Sequence, residues 1–340
     1  MIRDAISQVI DQRDLTQEEA ASAMTEIMDG EATPAQIACF ITALRMKGET
    51  VDEITGFARV MREKSLKVKT SRSPLVDTCG TGGDGLKTFN ISTVAAFVVA
   101  GGGVAVAKHG NRAASGTCGS ADVLEALGVN VLLPPELVSA CIEEIGIGFM
   151  FAPSLHPAMK HAVGPRKEIG VRTVFNILGP MTNPAGAKCQ VLGVFSPYLT
   201  ELMAGVLSNL GTERAMVVHG LEGLDEVSTT APTQVSEVGN GMVSTHVLDA
   251  SDLGVPRARL DDLACGDTPA GSGEIFLSIL RGEKGPRRDI VLLNAGAAFV
   301  VSGKAGDLRA GVELAGESVD SGAALSTFER FRDFTQRHTA

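Results

Sequence analysis

The stretch Val76-Asp77-Thr78-Cys79-Gly80-Thr81-Gly82-Gly83-Asp84-Gly85 constrains this chain more than any other. Leu75-Val76 reads as the end of a buried strand, and three glycines then fall within four positions. Asn90, Ser92 and Thr93 open an apolar run over 94–100 that suits a helix packed on a sheet. The order is strand, glycine loop, polar cap, helix. Glycine lacks a Cβ and tolerates positive φ, so such a loop lets backbone N–H groups approach an anion closely. The helix N-terminus adds unpaired donors and a positive dipole end. The pattern is an anion cradle with an acid, Asp84, beside it. It fits neither G-x-G-x-x-G nor G-x-x-x-x-G-K-[ST], and taken alone it reads equally as a tight turn without a ligand.

A second cluster adds weight. Lys108-His109-Gly110-Asn111-Arg112 follows the apolar strand 104–107, and Ser115-Gly116-Thr117-Cys118-Gly119-Ser120 leads into a helix over 121–127. Two consecutive strand ends thus carry small, polar loops, and ligands of open parallel sheets gather at the carboxyl ends of strands. Lys108 offers a point charge to phosphate oxygens, and Thr88, Asn90, Thr93, Ser115 and Ser120 offer neutral donors. A lone lysine there can equally be solvated, and Asn90 and Ser92 can be plain helix caps. Asp225-Glu226 follows the strand 216–219 and a turn, so both carboxylates lie beyond a strand end. Magnesium favours carboxylate oxygens beside substrate phosphates; exposed decoration is the other reading of that pair.

Around these motifs the chain divides in two. Residues up to about 69 read as helices: Thr16-x-x-Glu19, Thr33-x-x-Gln36 and Thr50-x-x-Glu53 are capping boxes, Pro34 suits a first helical position, and Gly30 and Gly48 suit the stops. Ile37, Cys39, Phe40, Ile41 and Leu44 give one helix an apolar face. After a polar linker at 70–74, strands at 75–77, 104–107, 129–133, 147–152, 189–195 and 216–219 alternate with helices such as 135–145 and 197–210. That rhythm argues for right-handed crossovers and a mostly parallel sheet. Helical character at 158–169 and the loop 176–184 interrupt it. A hairpin joins 233–238 to 242–248 around Gly239-Asn240-Gly241, and the rest is helical. The fold class is α/β: a small helical N-terminal domain plus a larger domain with a mostly parallel central sheet flanked by helices. The expected domains are 1–70 and 75–340.

Composition narrows the function classes. The 340 residues carry a net charge of −10, no Trp and one Tyr, against the basic footprint and stacking aromatics of nucleic-acid binders. Cys39, Cys79, Cys118, Cys141, Cys189 and Cys265 form no C-x-x-C pair and read as reduced thiols of a cytosolic protein. The polar start Met1-Ile2-Arg3-Asp4 shows no signal peptide, and no apolar run is long enough for a membrane span. A soluble, cytoplasmic protein is expected.

Residues 80–84, Asn90-Ile91-Ser92-Thr93, Lys108-His109-Gly110-Asn111-Arg112 and Asp225-Glu226, in this order, resemble the anthranilate phosphoribosyltransferase family over nearly the whole chain. The resemblance implies transfer of 5-phosphoribosyl from 5-phosphoribosyl 1-diphosphate to the amine of anthranilate in tryptophan biosynthesis. It implies Mg2+ at Ser92, Asp225 and Glu226, and anthranilate at Gly80, Asn111 and Arg166. The donor site it implies comprises Gly80, Gly83, Asp84, Thr88, Asn90, Ile91, Ser92, Thr93, Lys108, His109, Gly110, Asn111, Arg112, Ala113, Ala114, Ser115, Gly116 and Ser120. It also implies that a segment near 157–184 returns to the helical domain, a homodimer through that domain, no covalent nucleophile, and positioning roles at most for His109 and His156. A structural salt bridge, with Glu168 near in sequence, is the other reading of Arg166. The family more often has serine at 116 and 118, where this chain has Gly116 and Cys118. A thiol beside a helix N-terminus favours the thiolate, so Cys118 is expected to react faster than Cys39 and Cys141. The rivals are a pyrimidine nucleoside phosphorylase and a nucleic-acid-binding relative of the same fold.

Overall fold

The computed structural model describes residues 1–113 and 118–338. Four helices come first: α1 (Ile2–Ile10), α2 (Gln17–Met28), α3 (Pro34–Lys47) and α4 (Val51–Lys64). All three capping boxes form, with Thr16, Thr33 and Thr50 each accepting from the amide three residues on while Glu19, Gln36 and Glu53 bond back. Gly48 closes α3 at φ 90°, a left-handed value that favours glycine.

The chain then runs β1 (Leu75–Gly80), α5 (Ile91–Gly101), β2 (Ala105–Gly110), α6 (Ser120–Ala126), α7 (Pro135–Ile145) and β3 (Ile147–Phe151). An excursion follows through α8 (Ala152–Leu155), α9 (Lys160–Ile169) and α10 (Phe175–Leu178). It returns through β4 (Cys189–Gly193), α11 (Tyr198–Asn209), β5 (Arg214–Gly220), β6 (Thr233–Gly239) and β7 (Met242–Leu248). The C-terminal helices are α12 (Pro269–Leu280), α13 (Pro286–Val301), α14 (Leu308–Asp320) and α15 (Ala323–Arg337).

The strands form one sheet in the order β3-β2-β1-β4-β5-β6-β7. The first five are parallel and the last two antiparallel. The β6–β7 turn has both Asn240 (φ 53°) and Gly241 (φ 73°) left-handed, the signature of a two-residue hairpin. Chain order runs outward from β1 to β3 on one side and from β4 onward on the other. The gap between β1 and β4 is therefore the topological switch point, where such sheets place ligands.

Each sheet face has its own core. On one, Phe97 of α5 meets Phe276, Phe328 and Phe331 edge-to-face at 5.3–5.5 Å, pairs worth about 0.5–1.5 kcal/mol each beyond their buried area. On the other, α11 and the outer faces of β4 and β5 join the N-terminal helices, α9 and α10 in a second cluster that includes Phe40, Phe57, Phe175 and Met203. The half-buried Arg62 of α4 fastens that layer, donating from Nε to the Met181 carbonyl (2.6 Å) and from Nη1 to that of Leu210 (3.3 Å). Among the described residues no helix is long and apolar enough to cross a membrane.

Two expectations need correction. Residues 129–133 are not a strand: Val129, Val131 and Leu133 alternate inward, but the Asn130 amide bonds Thr335 Oγ1 of α15 instead of a neighbouring strand. Cys39 does not sit on the apolar face of α3; it is exposed, while Cys141 is buried as expected.

Candidate active site

The floor of the switch point is built by β1, β2 and β5 and the turns beyond them. The glycine loop leaves β1 over the Asp225-Glu226 turn. Thr81 N–H donates to the Gly193 carbonyl (2.9 Å), the Phe195 amide donates to Thr81 Oγ1 (3.3 Å), and Gly82 N–H donates to Asp225 Oδ2 (2.9 Å). A Cβ at Gly80 would lie 2.7 Å from Asp225 Oδ2, and one at Gly193 would strike the Asp225 backbone. Only glycine at both places lets the loop and the acidic turn lie this close.

Three carboxylates converge there. Asp84 accepts from Leu86 N–H at Oδ1 (3.1 Å), while among the described residues no N–H or hydroxyl donor reaches its buried Oδ2, which lies toward Asp225. Burial and then Asp84 push the Asp225 carboxyl up to about 7, against the Gly82 N–H, which lowers it. Glu226 is raised by burial and then by Asp225, opposed by Lys108 and by the Ser92 N–H bonded to its Oε1 at 3.2 Å. Crowded carboxylates with an orphaned buried oxygen form a set that a divalent cation relieves. The oxygens of Asp84, Asp225 and Glu226 are of the kind Mg2+ takes, although among the described residues no three carboxylate, histidine or cysteine side chains are gathered into a metal-holding group.

Lys108 is placed differently from an outward phosphate ligand. Lys108 and His109 are inside β2 instead of following it. The Lys108 ammonium is buried, bonded to the Thr78 carbonyl and 3.4 Å from Ser92 Oγ. Burial lowers its pKa, and Asp77, Cys79 and Glu226 oppose that. Asp77 lies beneath, wholly buried, accepting from His109 N–H (3.2 Å) and from Asn183 Nδ2 (2.8 Å). Neither Asp77 nor Asn183 stood out in the sequence, where each reads as an ordinary strand or loop residue.

The second cluster is partly consumed by internal bonds. Asn90 does not cap α5 with its side chain; its Nδ2 donates to the Cys118 carbonyl (3.1 Å). Ile91 and Thr93 have buried side chains under the site, and Thr88 makes an isolated antiparallel bridge with Ala264. Ser120 Oγ joins Asn111, accepting from its N–H (3.2 Å) and donating to its carbonyl (3.1 Å). A Cβ at Gly110 would meet that same Ser120 hydroxyl. Arg112 is paired with Asp122 and Glu125 of α6, so its charge is already engaged. Ala113 N–H donates to Asp122 Oδ2 (3.0 Å). Ala114, Ser115 and Gly116 lie outside the described residues. Cys118 departs from expectation: burial raises its pKa, outweighing any pull from the short helix beyond it.

Arg166 in the last turn of α9 stacks over Phe175 at 5.2 Å and is half-buried. Among the described residues it has no carboxylate partner, so the salt-bridge reading is not realised. His109 and His156 lie ring to ring at 5.2 Å, each with a buried Nε2 that has no hydrogen-bond partner among the described residues. Burial holds both neutral, pushing His109 down to about 3 and His156 to about 4.

A family profile described as glycosyl transferase family, helical bundle domain, matches residues 3–65, and one described as glycosyl transferase family, a/b domain, matches 72–325. The anthranilate phosphoribosyltransferase of Symbiobacterium thermophilum is 57% identical over 332 residues, 98% of this chain and 97% of its own. That of Moorella thermoacetica is 56% identical over 97% of each chain. The chain belongs to the anthranilate phosphoribosyltransferase family. The fold is the family's as well. The crystal structure of the anthranilate phosphoribosyltransferase of Thermus thermophilus superposes with a TM-score of 0.93 at 47% identity, covering 98% of this chain and 99% of that one. The Saccharomyces cerevisiae anthranilate phosphoribosyltransferase, solved in complex with PRPP and Mg, superposes with a TM-score of 0.90 at 27% identity, covering 99% and 98%.

Proposed function

We propose that this chain is a Mg2+-dependent transferase of tryptophan biosynthesis. It moves the 5-phosphoribosyl group from 5-phosphoribosyl 1-diphosphate to the amine of anthranilate. The nitrogen lone pair forms the bond to the anomeric carbon, the bond to the diphosphate oxygen breaks, and the amine releases a proton. The observation that carries this reading is the contact between two oppositely charged segments. Arg172, six residues after the half-buried Arg166, bonds the Gly83 carbonyl of the glycine loop, under which the carboxylates of Asp84, Asp225 and Glu226 gather; Arg166 has no carboxylate partner among the described residues. A planar guanidinium suits a carboxylate bidentately. The relatives' names, and the yeast structures bound to PRPP with Mg and to 4-fluoroanthranilate, support it.

The roles follow from chemistry. Arg166, with Asn111 and Gly80, orients the anthranilate carboxylate. The glycine loop, the start of α5 and the Asn111–Ser120 turn hold the donor. Asp225, Glu226 and Ser92 would hold Mg2+, which supplies positive charge to the departing diphosphate. An arylamine is neutral at pH 7, so no strong base is required, and the neutral His109 and His156 position the acceptor. Catalysis then rests on alignment of two substrates and on exclusion of water from the ribosyl centre. Residues 1–70 with the return segment 157–184 act as one lobe closing over the α/β lobe of 75–340. We assign the chain to the cytoplasm as a homodimer through the helical lobe, where Ile10, Met46 and Val163 leave apolar surface exposed. Light scattering on the purified chain tests the dimer.

The direct test is fluorescence: anthranilate emission is lost when enzyme, 5-phosphoribosyl 1-diphosphate and Mg2+ are combined, and persists when any one is omitted. Phosphorolysis of thymidine in its place would make the chain a nucleoside phosphorylase, and a shifted DNA band without turnover a nucleic-acid binder.

A further inference from the structure

Arg172 lies in the segment between α9 and α10, two residues past the left-handed Gly170 that ends α9 (φ 63°). Its guanidinium reaches the glycine loop, where Nη2 donates to the Gly83 carbonyl, and it stacks over the Phe195 ring at 4.7 Å. The fit leaves no room for a side chain at position 83. A Cβ there would lie 2.8 Å from Nη2, and the Gly83 φ of 79° already disfavours any other residue.

The loop is therefore gripped from two sides. Asp225 takes the Gly82 N–H from below, and Phe195, which carries the Arg172 ring contact, donates its own amide to Thr81 Oγ1. Between these fixed points, the amides of Gly83, Asp84 and Gly85 have no protein acceptor among the described residues. Consecutive free amides in a turn form a concavity for anions. In the planar trans peptide joining Gly83 to Asp84, the carbonyl bonded to Arg172 forces the Asp84 N–H to point the opposite way. Arg172 has no carboxylate partner among the described residues, so its contacts are this carbonyl and this ring.

We propose that Arg172 is a positioning residue for the phosphoribosyl donor: seated on Phe195, it fixes the Gly83–Asp84 peptide so that the free amides of the loop stay turned toward the donor's diphosphate. This rests on the reaction proposed above. Arg172 acts through the loop, so it governs donor binding and leaves the anthranilate carboxylate to Arg166.

The experiment measures the dissociation constant of 5-phosphoribosyl 1-diphosphate with Mg2+ in the absence of anthranilate, and then the steady-state constants for both substrates. Arg172→Met keeps length but loses donor and charge. We expect it to weaken donor binding about tenfold, with an unchanged KM for anthranilate and kcat at saturating donor within about twofold of wild type. Arg172→Lys recovers part of the loss. Gly83→Ala retains the charge of Arg172 but removes its seat, so it weakens donor binding as well. If both act through the one contact, the double variant is no worse than the poorer single. Unchanged donor binding in Arg172→Met overturns the proposal. So do additive losses in the double variant, or a parallel fall in every constant with the melting temperature that lysine does not relieve. If the wild-type chain itself makes no product, the reading of the reaction fails, not this inference.

Discussion

Removing the buried charge of Lys108 probes the floor of the site most sharply. The residue is 3% exposed and its ammonium is bonded to Thr78 O, with Asp77 and Glu226 the carboxylates that favour its charge. Lys108→Met conserves the stem and deletes the charge, leaving Asp77 buried with Asn183, the His109 N–H and the Cys79 thiol to hold it. The ammonium bonds a carbonyl and feels the carboxylates only beyond ion-pair distance, so its loss costs about 1.5–3 kcal/mol, the value of a charged hydrogen bond, a fall in melting temperature of about 2–4 °C for a chain this size. Asp77→Asn removes the other charge, but an amide cannot accept from both Asn183 Nδ2 and the His109 N–H through two oxygens, so it costs about 1.5–3 kcal/mol. The double variant removes both the Lys108 and the Asp77 charge, leaving Glu226 the remaining carboxylate that has lost Lys108. Its loss, measured by urea titration of all four proteins, should be smaller than the sum of the singles by at least about 1 kcal/mol. Strictly additive losses would refute the coupling of Lys108 to Asp77.

Three further outcomes are expected. The folded-state pKa of Asp225, raised to about 7, means the folded chain keeps a proton that the unfolded chain has lost, so stability falls as pH rises from about 4 through 7. Metal-free Asp225→Asn should then be more stable than wild type at pH 8 by a few kcal/mol, while losing the rise in melting temperature that Mg2+ gives wild type; equal stability would contradict this. Arg166→Ala should cost about ten- to a hundredfold in kcat/KM for anthranilate, the value of a charged hydrogen bond of about 1.5–3 kcal/mol, with little change in donor KM; equal losses for both substrates would return it to a structural role. For His109 and His156, held to about 3 and about 4 when folded, the unfolded chain binds protons below about 6.5 that the folded chain refuses. Stability should therefore drop as pH falls from 6.5, by about 1.4 kcal/mol per pH unit for each group. His156→Gln should flatten that slope, and an unchanged slope in thermal melts would show that His156 is protonated in the folded chain.

Much of the architecture was legible because it depends on local pattern. The capping boxes at Thr16, Thr33 and Thr50 and the Asn240-Gly241 turn are contained within four residues each, and all form. Strand–helix alternation carried the parallel sheet. The strand expected at 129–133 failed for the same reason that made it legible: alternating burial is a local signal, and pairing is not. There the partner is a threonine on α15, 205 positions further along the chain.

The site divides along the same line. Sequence alone determined which residue types stand at the strand ends: glycines where backbones must approach, an acidic pair beyond β5, and a basic run at the end of β2. Tertiary structure decided what those side chains do. It turned Lys108 inward, spent Arg112 on Asp122 and Glu125, and left Arg166 unpaired over Phe175. It also set Arg172 against Gly83 across 89 positions of chain. A charge's role depends on its distance to other charges and to water. Those distances are fixed only when segments remote in sequence pack together.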